Sequence, residues 1–98
     1  MKALKKLFSG IAPKKYDPEH RAVYAVTGGT YLGEFLVYIE KVDSDFMFLC
    51  LPKMEVKCIP YDKYILAIKG EVIEKVEDLP EDVYNVCVAQ YRKNKEQQ

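Results

Sequence analysis

Few side chains in this sequence could do covalent, metal or proton chemistry, and their spacing decides what they can do. The obvious ligands and nucleophiles are one histidine, His20, and three cysteines, Cys50, Cys58 and Cys87. Cys50 and Cys58 stand too far apart for a CxxC half-site, and no second half-site follows. With one histidine, no Ser/His or Cys/His constellation can be argued, so no catalytic residue is assigned. The cysteines read as ordinary buried apolar residues. Their odd number, with no paired framework, implies reduced thiols and an intracellular, cytoplasmic chain. Asp43 and Asp45 could chelate a cation weakly, but Asp-x-Asp turns commonly serve as hydrogen-bonded caps, and neither a metal nor another cofactor is expected. Gly28-Gly29-Thr30 leads into a strand pattern rather than a helix and fails as a phosphate loop. An enzyme is therefore the weakest class of reading.

The unusual count is eight tyrosines beside four phenylalanines and no tryptophan. Tyrosines on strands can stack on bases of single-stranded nucleic acid, but they are equally favoured in protein interfaces and on half-buried sheets. Net charge is zero, which excludes the strongly basic balance of a duplex DNA binder. The charge is nonetheless uneven. Lys2, Lys5, Lys6, Lys14, Lys15 and Arg21 crowd the first part of the chain against Asp17 and Glu19, whereas Glu71–Asp82 carries six acids and one lysine. The basic arm could meet phosphates through Lys14 and Lys15, or be no more than a solvated terminus. No apolar run approaches the roughly 18 residues of a membrane span, and the N-terminus has no apolar core long enough for a secretory signal.

The positioning elements follow from hydropathy and turn residues. Ninety-eight residues make one domain, divided as a basic arm over 1–20, a barrel over 21–78 and a C-terminal helix over 79–98. Ala3, Leu4, Leu7 and Phe8 fall at helical spacing, either a short amphipathic N-terminal helix or a frayed leader. Asp17-Pro18 suits the start of a single helical turn. Ala22–Thr27, Tyr31–Val42, Phe46–Leu51, Glu55–Ile59 and Tyr64–Lys69 read as strands, broken by Gly28-Gly29, Asp43-Ser44-Asp45 and Pro52-Lys53. Gly33 within the second run marks a bend, and Pro60 should interrupt pairing or sit on an edge. Such spacing predicts a mainly β fold, a closed or nearly closed small barrel. Pro80, Glu81 and Asp82 open a terminal helix whose packing face would carry Val83, Cys87 and Tyr91 with Val86 beside them.

Residues 65–76, ILAIKGEVIEKV, read as strand, tight turn at Lys69-Gly70, strand, and resemble the second signature of the Sm-like (LSm) family. Gly28–Gly33 and Asp43–Phe48 resemble parts of its first signature, so the resemblance covers residues 22–76. It implies a five-stranded, SH3-like open barrel. It also implies a homo-oligomeric closed ring of unstated subunit number, in which the fourth strand (about Lys63–Lys69) pairs with a neighbour's fifth (Glu71–Val76). Tyr64, Leu66, Ile68, Val72, Ile73 and Val76 would form that interface. The implied function is single-stranded RNA binding without catalysis, with Lys69 and Gly70 at the lumen and Asp45 and Met47 lining the same place. Where uridine-binding members commonly place an Asn, this chain has Met47, which cannot make the paired amide contacts that read a uracil edge. Asp45 would repel phosphate. The alternative is a small β-barrel protein–protein interaction module that has lost uridine recognition.

Overall fold

A computed structural model describes residues 17–29 and 31–96. The chain runs β1 (Ala22–Val26), β2 (Phe35–Val42), β3 (Asp45–Leu51), β4 (Glu55–Pro60), α1 (Tyr61–Lys69), β5 (Ile73–Asp78) and α2 (Glu81–Glu96). The strands make one antiparallel sheet in the order β4-β3-β2-β1-β5, and β4 and β5 are its two unjoined edges. The mainly β expectation, with five strands and a C-terminal helix, holds, and the sheet is not closed. The N-terminal helix and Thr30 lie outside the described residues.

Period-two patterning divides the sheet into two buried faces. Ala22, Tyr24, Val26, Leu36, Phe46, Phe48, Cys50 and Ile73 share one face with Tyr64 of α1. Val23, Val37 and Leu49 share the other with Tyr84, Cys87 and Tyr91 of α2. β3 is apolar on both faces because a helix covers each, which is why its run carries no alternation.

Three expectations are corrected. Tyr64–Lys69 is not a strand: it forms the last six residues of α1, so the fourth strand is Glu55–Pro60 and residues 65–76 run helix, turn, strand. Tyr61, Tyr64, Ile65 and Ile68 recur at helical spacing and turn inward, Asp62 occupies the first turn, and Lys69 the last. Pro60 lies on the edge strand, as expected, and immediately precedes the helix. The strand expected from Tyr31 begins only at Phe35. Tyr31–Gly33 instead form turns, with Gly33 (φ +91°) donating its N–H to the Val26 carbonyl at 3.0 Å, a backbone conformation that glycine adopts without strain. Asp17-Pro18 starts no helical turn. The chain passes instead through a turn in which Ala22 N–H donates to the Glu19 carbonyl, with Arg21 at φ 65°.

The face of α2 is also rotated from the one expected. Cys87 and Tyr91 pack inward together with Tyr84 and Val88, whereas Val83 and Val86 are exposed, Val86 by 67%. The tyrosine hydroxyls account for the rotation. Register between β2 and β3 slips between Tyr38 and Glu40, a bulge that leaves Ile39 without a partner residue across the ladder. Its carbonyl accepts the Tyr84 hydroxyl at 3.2 Å, and the Glu40 carboxylate accepts the Tyr91 hydroxyl at 2.8 Å. No helix among the described residues is long and apolar enough to cross a membrane.

Candidate binding groove

A groove of about 410 Å³ lies on the α1 face, at the end of the sheet between the β4 and β5 edges. It exists because α1 fills only part of the gap between those strands. Tyr64 packs its ring on Phe46 (5.0 Å between centroids) and Phe48 (5.9 Å), and Tyr61 packs on Phe46 (5.8 Å). These large rings belong to the first half of the helix, whereas the second half presents only Ala67 to the groove.

The end of α1 then fixes the opposite wall. Glu71 N–H donates to the Ile68 carbonyl and Val72 N–H to the Ala67 carbonyl, a Schellman closure with Glu71 in the left-handed region at φ 58°. Thr27 ties this closure to β1, its N–H bonding the Val72 carbonyl (2.7 Å) and its hydroxyl the Glu71 carbonyl (2.8 Å). A Cβ added at Gly28 would lie 3.1 Å from Val72 Cγ1, so a larger residue there would crowd the wall.

The floor is the core itself: Val26, Leu36 and Ile73 line the groove and belong to the buried cluster of this face. Ile59 and Val72 add apolar walls, and the charged side chains of the lining are Lys57 and Lys63. Tyr31, 50% exposed, stands at the mouth with the Lys57 ammonium 4.1 Å from its ring centroid. Burial disfavours the Lys57 cation, but its contact with the Tyr31 side chain and the charge of Glu55 (3.7 Å away) outweigh that, leaving its pKa raised. The groove therefore offers a greasy floor under a positively charged rim.

The residues expected to read RNA do not converge. Lys69 and Gly70 close the C-terminal end of α1, whereas Asp45 pairs with Pro60 beside its start. Nine helical residues put those ends roughly 12 Å apart. Met47 turns to the opposite face, where it packs in the α2 cluster. Lys14 and Lys15 lie outside the described residues. Of the six expected interface residues, Tyr64 (1% exposed) and Ile73 are inside the core and Ile68 is half-buried against it. Leu66 (71%), Val72 and Val76 are on the surface, Leu66 on a helix rather than a strand edge.

Tyrosine falls mostly to structure. Tyr24, Tyr64, Tyr84 and Tyr91 are buried, Tyr38 and Tyr61 half-buried, and among the described tyrosines only Tyr31 is exposed. Cys50 and Cys87 are buried, but Cys58 is exposed, against expectation, with Sγ 3.5 Å from the Asp45 carboxylate. Burial raises all three thiols, Cys50 to about 11, and the Asp45 carboxylate raises Cys58 further. None is thus poised as a thiolate at neutral pH. His20 stacks edge-on to Tyr84 at 4.9 Å, and no three His, Cys, Asp or Glu side chains among the described residues form a metal-sized group. Lys57, Lys63, Tyr31 and the core residues of the floor share no motif in the sequence. Their convergence depends on α1 being a helix. No protein-family model matches the chain, and no curated protein or solved structure matches it.

Proposed function

We propose that the chain is a non-catalytic binding module whose partner docks in the groove between α1, β4 and the β1–β2 connection. The observation that carries this reading is a groove whose lining combines core residues, Val26, Leu36 and Ile73, with Tyr31, Lys57 and Lys63. A cavity of this size and apolar character suits one or two side chains of a partner. A partner that covers it removes apolar surface from water at about 25 cal/mol per Å². Titration of the isotopically labelled chain with free indole, an apolar probe, tests the reading by amide and methyl shifts. Shifts confined to Leu36, Ile59, Ala67, Val72 and their neighbours are expected. They should vanish in Ala67→Phe, whose ring would occupy the space. Indole shifts scattered over the surface, or unchanged in that variant, would remove the groove as the binding site.

Self-association with single-stranded RNA binding is the second reading, favoured by the two edge strands. β4 carries Glu55 and Lys57 with Lys53 and Lys63 flanking it, and β5 carries Glu74, Glu77 and Asp78 against Lys75, so the lysines around the β4 of one copy would meet a net acidic β5 of the next. Edge strands unpaired in one chain are templates for such addition, in keeping with a head-to-tail ring of Sm-like type. Light scattering should then give a multiple of the 11.3 kDa chain mass. Fluorescence anisotropy with oligouridylate should show binding that weakens with salt. A monomer at micromolar concentration would sink the ring, and no RNA binding at low salt would sink the ligand.

A further inference from the structure

The groove's lining narrows what it can accept. We propose that it takes an extended acidic–apolar peptide segment of a protein partner, laid along β4 with an apolar side chain in the groove and carboxylates against Lys57 and Lys63. The inference rests on the groove being the binding site.

Two observations lead to it. The outer edge of β4 pairs with no strand among the described residues, while Lys57, Cys58, Ile59 and Pro60 of that strand form one side of the groove. A peptide there can add main-chain hydrogen bonds along Glu55–Ile59, up to Pro60, which has no N–H to give. Alternate side chains of an extended segment point the same way, so every second residue can drop into the apolar floor. Among the described residues the charged side chains of the lining are two lysines, of which Lys57 also meets Glu55, outside the lining, at 3.7 Å, and long ammonium-bearing chains can follow a ligand along the rim. The chain's own segment before residue 17 is apolar but basic, with Lys2, Lys5, Lys6, Lys14 and Lys15, so its charge has the same sign as the rim.

The test is a titration of the labelled full chain with three blocked pentapeptides: glutamate alternating with valine and leucine, the same with lysines for glutamates, and the same with serines for the apolar pair. The first should shift amides of β4, α1 and Val72, and lose affinity several-fold as salt rises from low to physiological strength. The lysine and serine peptides should bind at least tenfold more weakly. The double variant K57E/K63E, with its fold checked by circular dichroism, should weaken the first peptide at least tenfold. Equal binding of the lysine peptide would overturn the proposal, as would no groove shifts at millimolar peptide. If indole still binds in either case, the groove stands and only its occupant is wrong. Oligouridylate shifting the same amides more strongly than the acidic peptide would overturn it in favour of RNA. A multimeric mass abolished by K57E/K63E, with no response to peptide, would assign the groove to a second copy of this chain.

Discussion

On one face of the sheet α1 presses Tyr64 among Tyr24, Phe46 and Phe48, with ring centroids 5.0 to 6.2 Å away. On the other, α2 lays Tyr84 and Tyr91 across the strands and fastens them by their hydroxyls to Ile39 and Glu40. Both faces bury tyrosine. On the first the rings pack on one another, and the Tyr24 hydroxyl accepts the Glu19 N–H at 2.8 Å; on the second the hydroxyls fasten the helix itself to the strands. A nine-residue helix cannot span the face it covers, so the aromatic side is left with an open groove of about 410 Å³. The sixteen-residue α2 leaves a crevice of about 250 Å³, lined in part by the tyrosines that anchor it. The difference separates a face built for closure from one with room for a partner.

The sharpest way to break the comparison is to remove the plug. Tyr64→Ala deletes the ring that touches three others and leaves a cavity beneath a short helix. A loss of about 3–5 kcal/mol is expected, much of the stability of a domain this size. Urea denaturation checks it, and a loss below about 1.5 kcal/mol would mean that α1 is peripheral. A smaller effect on the same face is pH-dependent. The Cys50 thiol stands at about 11 against 9.0 when unperturbed, because burial disfavours the thiolate. The folded chain therefore keeps this proton to higher pH than the unfolded chain. The associated stability is fully present below about pH 9 and is lost as pH rises towards 11, by up to about 2–3 kcal/mol. Burial raises Tyr24 and Tyr64 as well, so alkaline destabilisation has several sources. Cys50→Ala should remove its own share, visible as a shallower fall in denaturation midpoint between pH 9 and 11. An identical slope in the variant would exclude Cys50 as a source.

On the α2 face the expected effects are smaller and belong to single bonds. Tyr91→Phe keeps the ring and removes the 2.8 Å bond to Glu40, a carboxylate that also meets Lys95 at 3.5 Å. A hydrogen bond to a charged group at a half-exposed site is worth about 1–2 kcal/mol. The loss should appear in urea denaturation without any change in indole binding at the groove. A shift in groove affinity would mean that the two faces are coupled through the sheet.

Most of the β architecture was legible because strands and turns are encoded locally. Ala22–Val26, Phe46–Leu51 and Glu55–Ile59 carry β-branched and aromatic runs bounded by Gly, Pro and Asp, and the structure keeps them nearly unchanged. Tyr64–Lys69 failed because a short apolar run fits either period, and the stretch is too brief for periodicity to arbitrate. The helix signal lay just upstream, in Pro60-Tyr61-Asp62 and the inward spacing from Tyr61 to Ile68. The site failed with it. Lys57, Lys63 and Tyr31 share no motif and meet only because a helix, not a strand, follows Pro60. The rotation of α2 was hidden for another reason. Val83 looks more apolar than Tyr84, but the bulge at Ile39 that accepts the tyrosine hydroxyl has no signature in the sequence.

The smallest effect tests the joint that holds the groove open. The sequence places its turn glycine at Gly70, yet that residue sits at φ −83° and it is Glu71 that takes the left-handed conformation closing α1. A side chain at that position costs about 1 kcal/mol relative to glycine, since the Cβ crowds the following carbonyl. The backbone bonds of the closure, to Ile68 and Ala67, and the anchor from Thr27 to the Glu71 carbonyl do not need the carboxylate. Glu71→Gly should therefore stabilise the chain by about 0.5–1 kcal/mol, the relief of strain being partly offset by the greater freedom of glycine in the unfolded state. Thr27→Val, which removes the hydroxyl bond, should act in the opposite direction. If Glu71→Gly destabilises instead, the Glu71 side chain makes a contact that matters more than the turn. If Glu71→Gly stabilises as expected, groove affinity for indole should be unchanged or slightly higher, because the wall at Val72 becomes firmer without moving.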